Sequence, residues 1–135
     1  MQRRSAERKV LLAVREGHLD ARLLAAARAL CQRLDAGIDI LLLASGEQLP
    51  AEVDDLVRTL RDEGVAYTLT RKEVLRRRDI VAYANTHECI STVVIDSLEG
   101  WESVAEDRSS DPWRKLACPL VTASPSKAAS QDQPT

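Results

Sequence analysis

Three groups of residues carry side chains that could do chemistry. The first is the acidic stretch that leaves a short β-branched run, Thr92, Val93, Val94 and Ile95: Asp96, Ser97, Leu98, Glu99, Gly100, Trp101 and Glu102. Six carboxylates and one cation, Arg108, lie between Asp96 and Asp111. Carboxylates ligate hard cations well, but Asp96, Glu99, Glu102 and Glu106 have no recognised metal-ligand spacing, so no metal is expected and a solvated acidic loop is the simpler reading. The second group is the basic cluster Arg71, Lys72, Arg76, Arg77 and Arg78. At the start of a helix these cations would sit where the helix dipole favours anions. They could then receive an acidic partner, a phosphate or the chain's own acidic loop, unless they are only a solvated connection. The third group is Arg15, Glu16, Gly17 and His18, which follows the first apolar run. His18 is a candidate polar group at the same sheet edge, although a single histidine before a helix usually serves the turn.

Catalysis finds little support in these residues. The chain has no Gly-x-Ser-x-Gly elbow, Walker loop or His-Glu-x-x-His, and none of its cysteines stands beside an evident base. The expectation is a non-enzyme. Cys31, Cys89 and Cys118 are odd in number and far apart, without a Cys-x-x-Cys pair, and read as small buried hydrophobes in a reducing compartment. His87 reads as a packing or capping residue, and Trp101 and Trp113 as anchors for the loop and the last helix.

The elements that position these groups follow from periodicity. Val10 to Val14 is an apolar run of strand length. Asp20 suits a helix N-cap, and Leu23, Leu24, Ala27, Leu30, Cys31 and Leu34 recur at helical spacing until Gly37, which is expected at the C-terminal cap. Ile38 to Ala44 is a second strand. A helix beginning at Pro50 carries Val53, Leu56, Val57 and Leu60 on one stripe and stops at Gly64. Val65 to Thr70 alternates as a thin edge strand would. Ile80, Val81 and Ala84 give a third helical face, with Arg76 to Arg78 either a loop or its first turn. The run ending at Ile95 reads as a strand buried on both faces. A closing helix is expected from Asp111 and Pro112, with Trp113, Leu116 and Ala117 on its apolar face, and a last strand from Leu120 to Ala123.

Five strands alternating with four helices imply an α/β fold, a doubly wound five-stranded parallel sheet with helices on both faces. In such a sheet the loop after a central strand is where a ligand is sought, which directs attention to Asp96 and its successors. With 135 residues the chain has room for one core. Residues 1–8 read as a basic N-terminal extension, 9–123 as the domain, and 124–135 as a disordered tail of Ser, Pro, Gln, Lys and Ala. A net charge of −2 with 44% hydrophobic and 30% charged residues gives no field suited to nucleic acid or a membrane surface. No apolar run approaches the ~20 residues of a membrane span, and no convincing secretory signal is present, so the expected location is cytoplasmic.

The chain resembles the universal stress proteins. The resemblance rests on the opening Lys9 to Val14 strand, the Ala- and Leu-rich helix Asp20 to Ala36, the strand Gly37 to Ala44 and the helix-strand unit Ile80 to Asp96. Above all it rests on the ending Trp113-Arg114-Lys115-Leu116-Ala117-Cys118-Pro119-Leu120-Val121. It implies a three-layer Rossmann-like sandwich with strand order 3-2-1-4-5, and homodimerisation through the last strand, here Leu120, Val121, Thr122 and Ala123. Many members bind ATP through Gly-x-x-Gly followed further on by Gly-Ser or Gly-Thr, because glycines let backbone N–H groups cradle phosphates. Here Asp96 and Glu99 stand at the two glycine positions and Glu106-Asp107 replaces Gly-Ser. Each like-charge contact with a phosphate would cost ~1 kcal/mol even in water. The resemblance therefore implies a module without a nucleotide cofactor, acting through protein association in stress response or regulation. Glu16, Gly17, His18, Asp96, Ser97, Glu99 and Gly100 remain the nearest candidates for a binding site. Two alternatives stand beside this one: a divergent nucleotide binder using the Arg71 to Arg78 cluster, and an unrelated flavodoxin-like regulatory domain.

Overall fold

The computed structural model describes residues 8–97, 101 and 112–122. The elements are β1 (Lys9–Arg15), α1 (Ala21–Leu34), β2 (Gly37–Leu43), α2 (Ala51–Asp62), β3 (Tyr67–Lys72), α3 (Arg77–Thr86), β4 (Ile90–Ile95), a 3-10 turn (Pro112–Lys115) and β5 (Leu120–Thr122). All strand pairs are parallel and the order is β3-β2-β1-β4-β5. This is the expected 3-2-1-4-5 sheet. The flavodoxin-like alternative would require 2-1-3-4-5 and falls on that ground.

The sheet divides two cores. Val10, Leu12, Val14, Ile38, Ile40 and Leu42 meet Leu23, Ala27 and Cys31 of α1 and Val53, Leu56 and Leu60 of α2 on one face. On the other, Leu11, Ala13, Leu41, Val93 and Ile95 meet Ile80 and Ala84 of α3, with Leu75 and Trp101. Both sides of β1 and β4 are thus covered, which explains why their sequences run continuously apolar where a half-solvated strand would alternate.

Local chemistry sets the helix ends. Asp20 caps α1 as expected, its carboxylate accepting from the Arg22 N–H at 2.8 Å. The C-terminus differs from expectation. Asp35, at φ 56° and ψ 52°, supplies the left-handed residue, and its neighbour Ala36 donates to the Cys31 carbonyl at 2.9 Å. Gly37 instead opens β2, where an added Cβ would lie 3.0 Å from the Ala66 carbonyl oxygen. At the end of α2, Gly64 takes φ +77° as expected, and Val65 donates to the Leu60 carbonyl at 2.9 Å. That turn uses the first residues expected in the third strand, so β3 begins at Tyr67 and runs on through Arg71 and Lys72. Its place at the sheet edge is as expected.

The closing helix is shorter than expected, a single turn in which Leu116 donates to the Trp113 carbonyl at 3.2 Å. Asn85 at the end of α3 anchors the end of this turn, its side chain donating to the Lys115 carbonyl and accepting from the Ala117 N–H, both at 2.9 Å. Pro119 then leads into β5, whose described residues end at Thr122. Ala123, the tail and residues 1–7 lie outside the described residues. Among those described, no helix is long and apolar enough to cross a membrane.

Candidate functional site

β1 and β4 are the neighbours at which the strand order reverses, so the crevice beyond their carboxyl ends is where an open α/β sheet offers a ligand site. Arg15 is the last residue of β1, and Asp96 follows β4 directly. The Arg15 guanidinium donates from Nη2 to Asp96 Oδ2 at 2.5 Å, with the two side chains 10% and 11% exposed. Trp101 completes the cluster. Its Nε1–H donates to Asp96 Oδ1 at 3.2 Å, and Arg15 Cζ lies 4.6 Å from its ring centroid, a cation–π contact. Arg77, in the first turn of α3, donates from Nε to the Trp101 carbonyl at 2.9 Å. Trp101 is 2% exposed and packs with Leu75, Ile80 and Ile95.

This geometry changes the meaning of Asp96. The sequence places it at the head of an acidic loop as a charge that would repel phosphate. In the folded chain the carboxylate is buried and compensated by Arg15, and both its oxygens are engaged. Of its expected companions, Ser97 is half-buried beside it, while Glu99 and Gly100 lie outside the described residues, as do Glu102, Glu106, Asp107 and Asp111. Arg15 and Trp101 were legible as a terminal charge and as an anchor. Their meeting with Asp96 was not.

Glu16, Gly17 and His18 form the exposed turn after β1. Glu16 donates its N–H to the Leu43 carbonyl at 2.9 Å, Gly17 takes φ +88°, and His18 donates its N–H to the Arg15 carbonyl at 3.0 Å. The turn borders an open cleft of about 670 Å³ over the ends of β1, β2 and β3. Leu43, Ala44, Leu75 and Trp101 line it along with Arg15, His18 and Arg76 and the carboxylates of Glu16 and Glu73. The rim thus mixes both signs of charge.

The basic cluster is dispersed by the fold. Arg71 and Lys72 are consecutive in a strand and point to opposite faces. Arg71 donates to the Glu47 carbonyl at 2.6 Å, and Arg77 turns inward to Trp101. Arg76 is the N-cap of α3, where its backbone N–H donates to Asp79 Oδ2 at 2.9 Å, and Arg78 faces solvent. Lys72 and Arg76 border a second groove, about 520 Å³, with Leu41, Val74, Tyr83 and His87. His87 acts as the packing and capping residue expected: it is the C-cap of α3, its ring stacks on Tyr83 at 3.9 Å, and its Nδ1 lies 2.7 Å from the Tyr83 carbonyl.

Sequence reasoning missed Asp39, a buried carboxylate in the middle of β2. Lys9 Nζ lies 3.3 Å from its Oδ1, the Thr68 hydroxyl donates to the same oxygen at 2.9 Å, and the Tyr83 hydroxyl donates to Oδ2 at 2.8 Å. Burial, then the bond to Asp39, pushes the Tyr83 hydroxyl well above its ordinary pKa, so it stays a donor. A lone Asp within an apolar run was the available signal. Among the described residues no group of three or more His, Cys, Asp or Glu side chains could hold a metal ion.

No protein-family model matches the chain, and no curated protein matches it. Among solved structures, a universal stress protein from Archaeoglobus fulgidus is similar at 17% identity with a TM-score of 0.50, over 84% of this chain and 92% of that one. At that identity the likeness is one of fold.

Proposed function

We propose that this chain is a universal-stress-protein-like module that works without a nucleotide, as a cytoplasmic, non-enzymatic partner in protein association, with a second copy joined through β5. The observation that carries this reading is the filled crevice. Arg15, Asp96 and Trp101 satisfy one another where a nucleotide's phosphates would enter, so such a ligand would have to displace a buried indole and break a buried ion pair. In the sequence, Asp96 and Glu99 stand where the resemblance to the universal stress proteins implies glycines. Support for self-association is the outer edge of β5, three residues long with Val121 38% exposed, since an unpaired apolar edge is relieved by pairing. Three free cysteines, one of them buried, fit a reducing compartment.

The test is thermal unfolding with millimolar ATP, ADP or AMP, with and without Mg²⁺, together with light scattering. A ligand at 100 times its Kd adds ~2.7 kcal/mol to the folded state. The expected result is an unchanged Tm and a dimer mass; a clear rise in Tm refutes the reading. The cleft bordered by His18 and Arg76 supports a second reading, a nucleotide held by other contacts, because its size falls in the range of small-molecule sites. Under that reading the Tm rises and Arg76→Ala abolishes the rise.

A further inference from the structure

We infer that the crevice between the ends of β1 and β4 is a receptor site for an indole that carries a carbonyl acceptor, and that Trp101 occupies it in cis. The inference rests on the reading of this crevice as self-filled. A tryptophan used only as core filler needs apolar walls and one partner for its N–H. Here every recognisable feature of the residue is matched by a separate element. The Arg15 guanidinium from β1 lies over the ring face at 4.6 Å, and the Asp96 carboxylate beyond β4 accepts the ring N–H at 3.2 Å. Arg77 from α3 donates to the carbonyl at 2.9 Å, and Leu75, Ile80 and Ile95 wall the ring.

Arg15 and Arg77 come from β1 and α3, and Asp96 stands five positions before Trp101 where the chain leaves β4, so removing the indole leaves all three matching groups in the chain. Arg15 and Asp96 hold each other in place through their own ion pair, which preorganises the face and the edge of the site. Trp101 also lines the open cleft of about 670 Å³, which gives a free ligand a route to the same niche. The tether gives the internal indole an effective concentration on the order of millimolar, so a ligand in trans is outcompeted in the intact chain. Emptied apolar niches in folded proteins do take up aromatic ligands of fitting shape.

The experiment is full-length Trp101→Ala, followed by circular dichroism and thermal melts with indole, N-acetyltryptophanamide, 1-methylindole and naphthalene. The variant is expected to melt below the parent protein and to regain Tm saturably with indole. N-acetyltryptophanamide should act at lower concentration, because it restores the carbonyl that Arg77 binds. 1-Methylindole lacks the N–H for Asp96 and should bind roughly tenfold more weakly, the weight of one hydrogen bond to a charged group. The parent protein should not respond. Absence of any rise overturns the inference, and so does a response to naphthalene and 1-methylindole as strong as that to indole, which would mark an apolar void without recognition. If Trp101→Ala does not fold alone, refolding in saturating indole must recover the native spectrum, and failure to do so also overturns it. A nucleotide-induced Tm rise in the parent protein counts against the proposed function and leaves the indole result standing.

Discussion

Asp96 and Arg15 are both about nine-tenths buried, and a buried ion pair has two energetic faces. Taking both charges out of water costs several kcal/mol, which their attraction and the indole N–H offset. Removing one partner leaves the other charge buried alone. Asp96→Ala is therefore expected to lose about 3–5 kcal/mol of stability, whereas Arg15→Met combined with Asp96→Leu should lose much less than the sum of the single changes. Urea unfolding of the two single variants and the double measures the coupling; additive losses would mean that the pair contributes nothing as a pair. Both residues were visible in the sequence as charges ending apolar runs. Their pairing spans 81 positions, and neither run indicates which strand lies beside it. Asp39 was hidden for a similar reason, since its partners Lys9, Thr68 and Tyr83 come from two other strands and a helix.

Helix starts were more legible than helix ends. A cap such as Asp20 acts on a donor two residues away, so its signal is local. The end of α1 was misplaced because two residues competed for one role. Gly37 is the better residue for a left-handed cap, but β2 needs it for the close approach to Ala66, and the cap falls to Asp35. Glycine adopts that conformation without the steric cost of a Cβ. Asp35→Gly is expected to raise stability by up to about 1 kcal/mol, while Gly37→Ala should lower it because its Cβ meets a backbone oxygen. Chemical denaturation reads both, and a destabilised Asp35→Gly would show that the aspartate has a second role. The basic start of α3 presents the converse case. Arg77 and Arg78 oppose the helix dipole, but Asp79 accepts from the N-cap N–H, and Arg77 is needed at Trp101.

The stability of the whole molecule should fall at alkaline pH. Burial pushes the Cys31 thiol up from 9.0 to about 11. The unfolded thiol therefore loses its proton near pH 9 while the folded one keeps it. Between pH 9 and 11 the unfolded state binds fewer protons, and stability drops by about 1.4 kcal/mol per pH unit for this group. Burial raises Cys118 as well, and Tyr83 shifts in the same direction, so the losses add. Urea melts across this range should show the decline, and Cys31→Ala should make it shallower; an unchanged slope would remove Cys31 as a cause. At the carboxyl edge of the sheet the filled crevice and the open cleft adjoin along Arg15 and Trp101.

By itself the sequence determined the class of the fold. Continuous apolar runs required a sheet covered on both faces, and the alternation of strand and helix required parallel pairing through right-handed crossovers. It also determined that the stretch after β4 opens with Asp96 and carries Glu99, carboxylates and not glycines at those two positions. Only the tertiary structure decided what Asp96 does. A carboxylate at the end of a strand is repulsive or neutralised according to its neighbour, and that neighbour is fixed by the order of strands in the sheet.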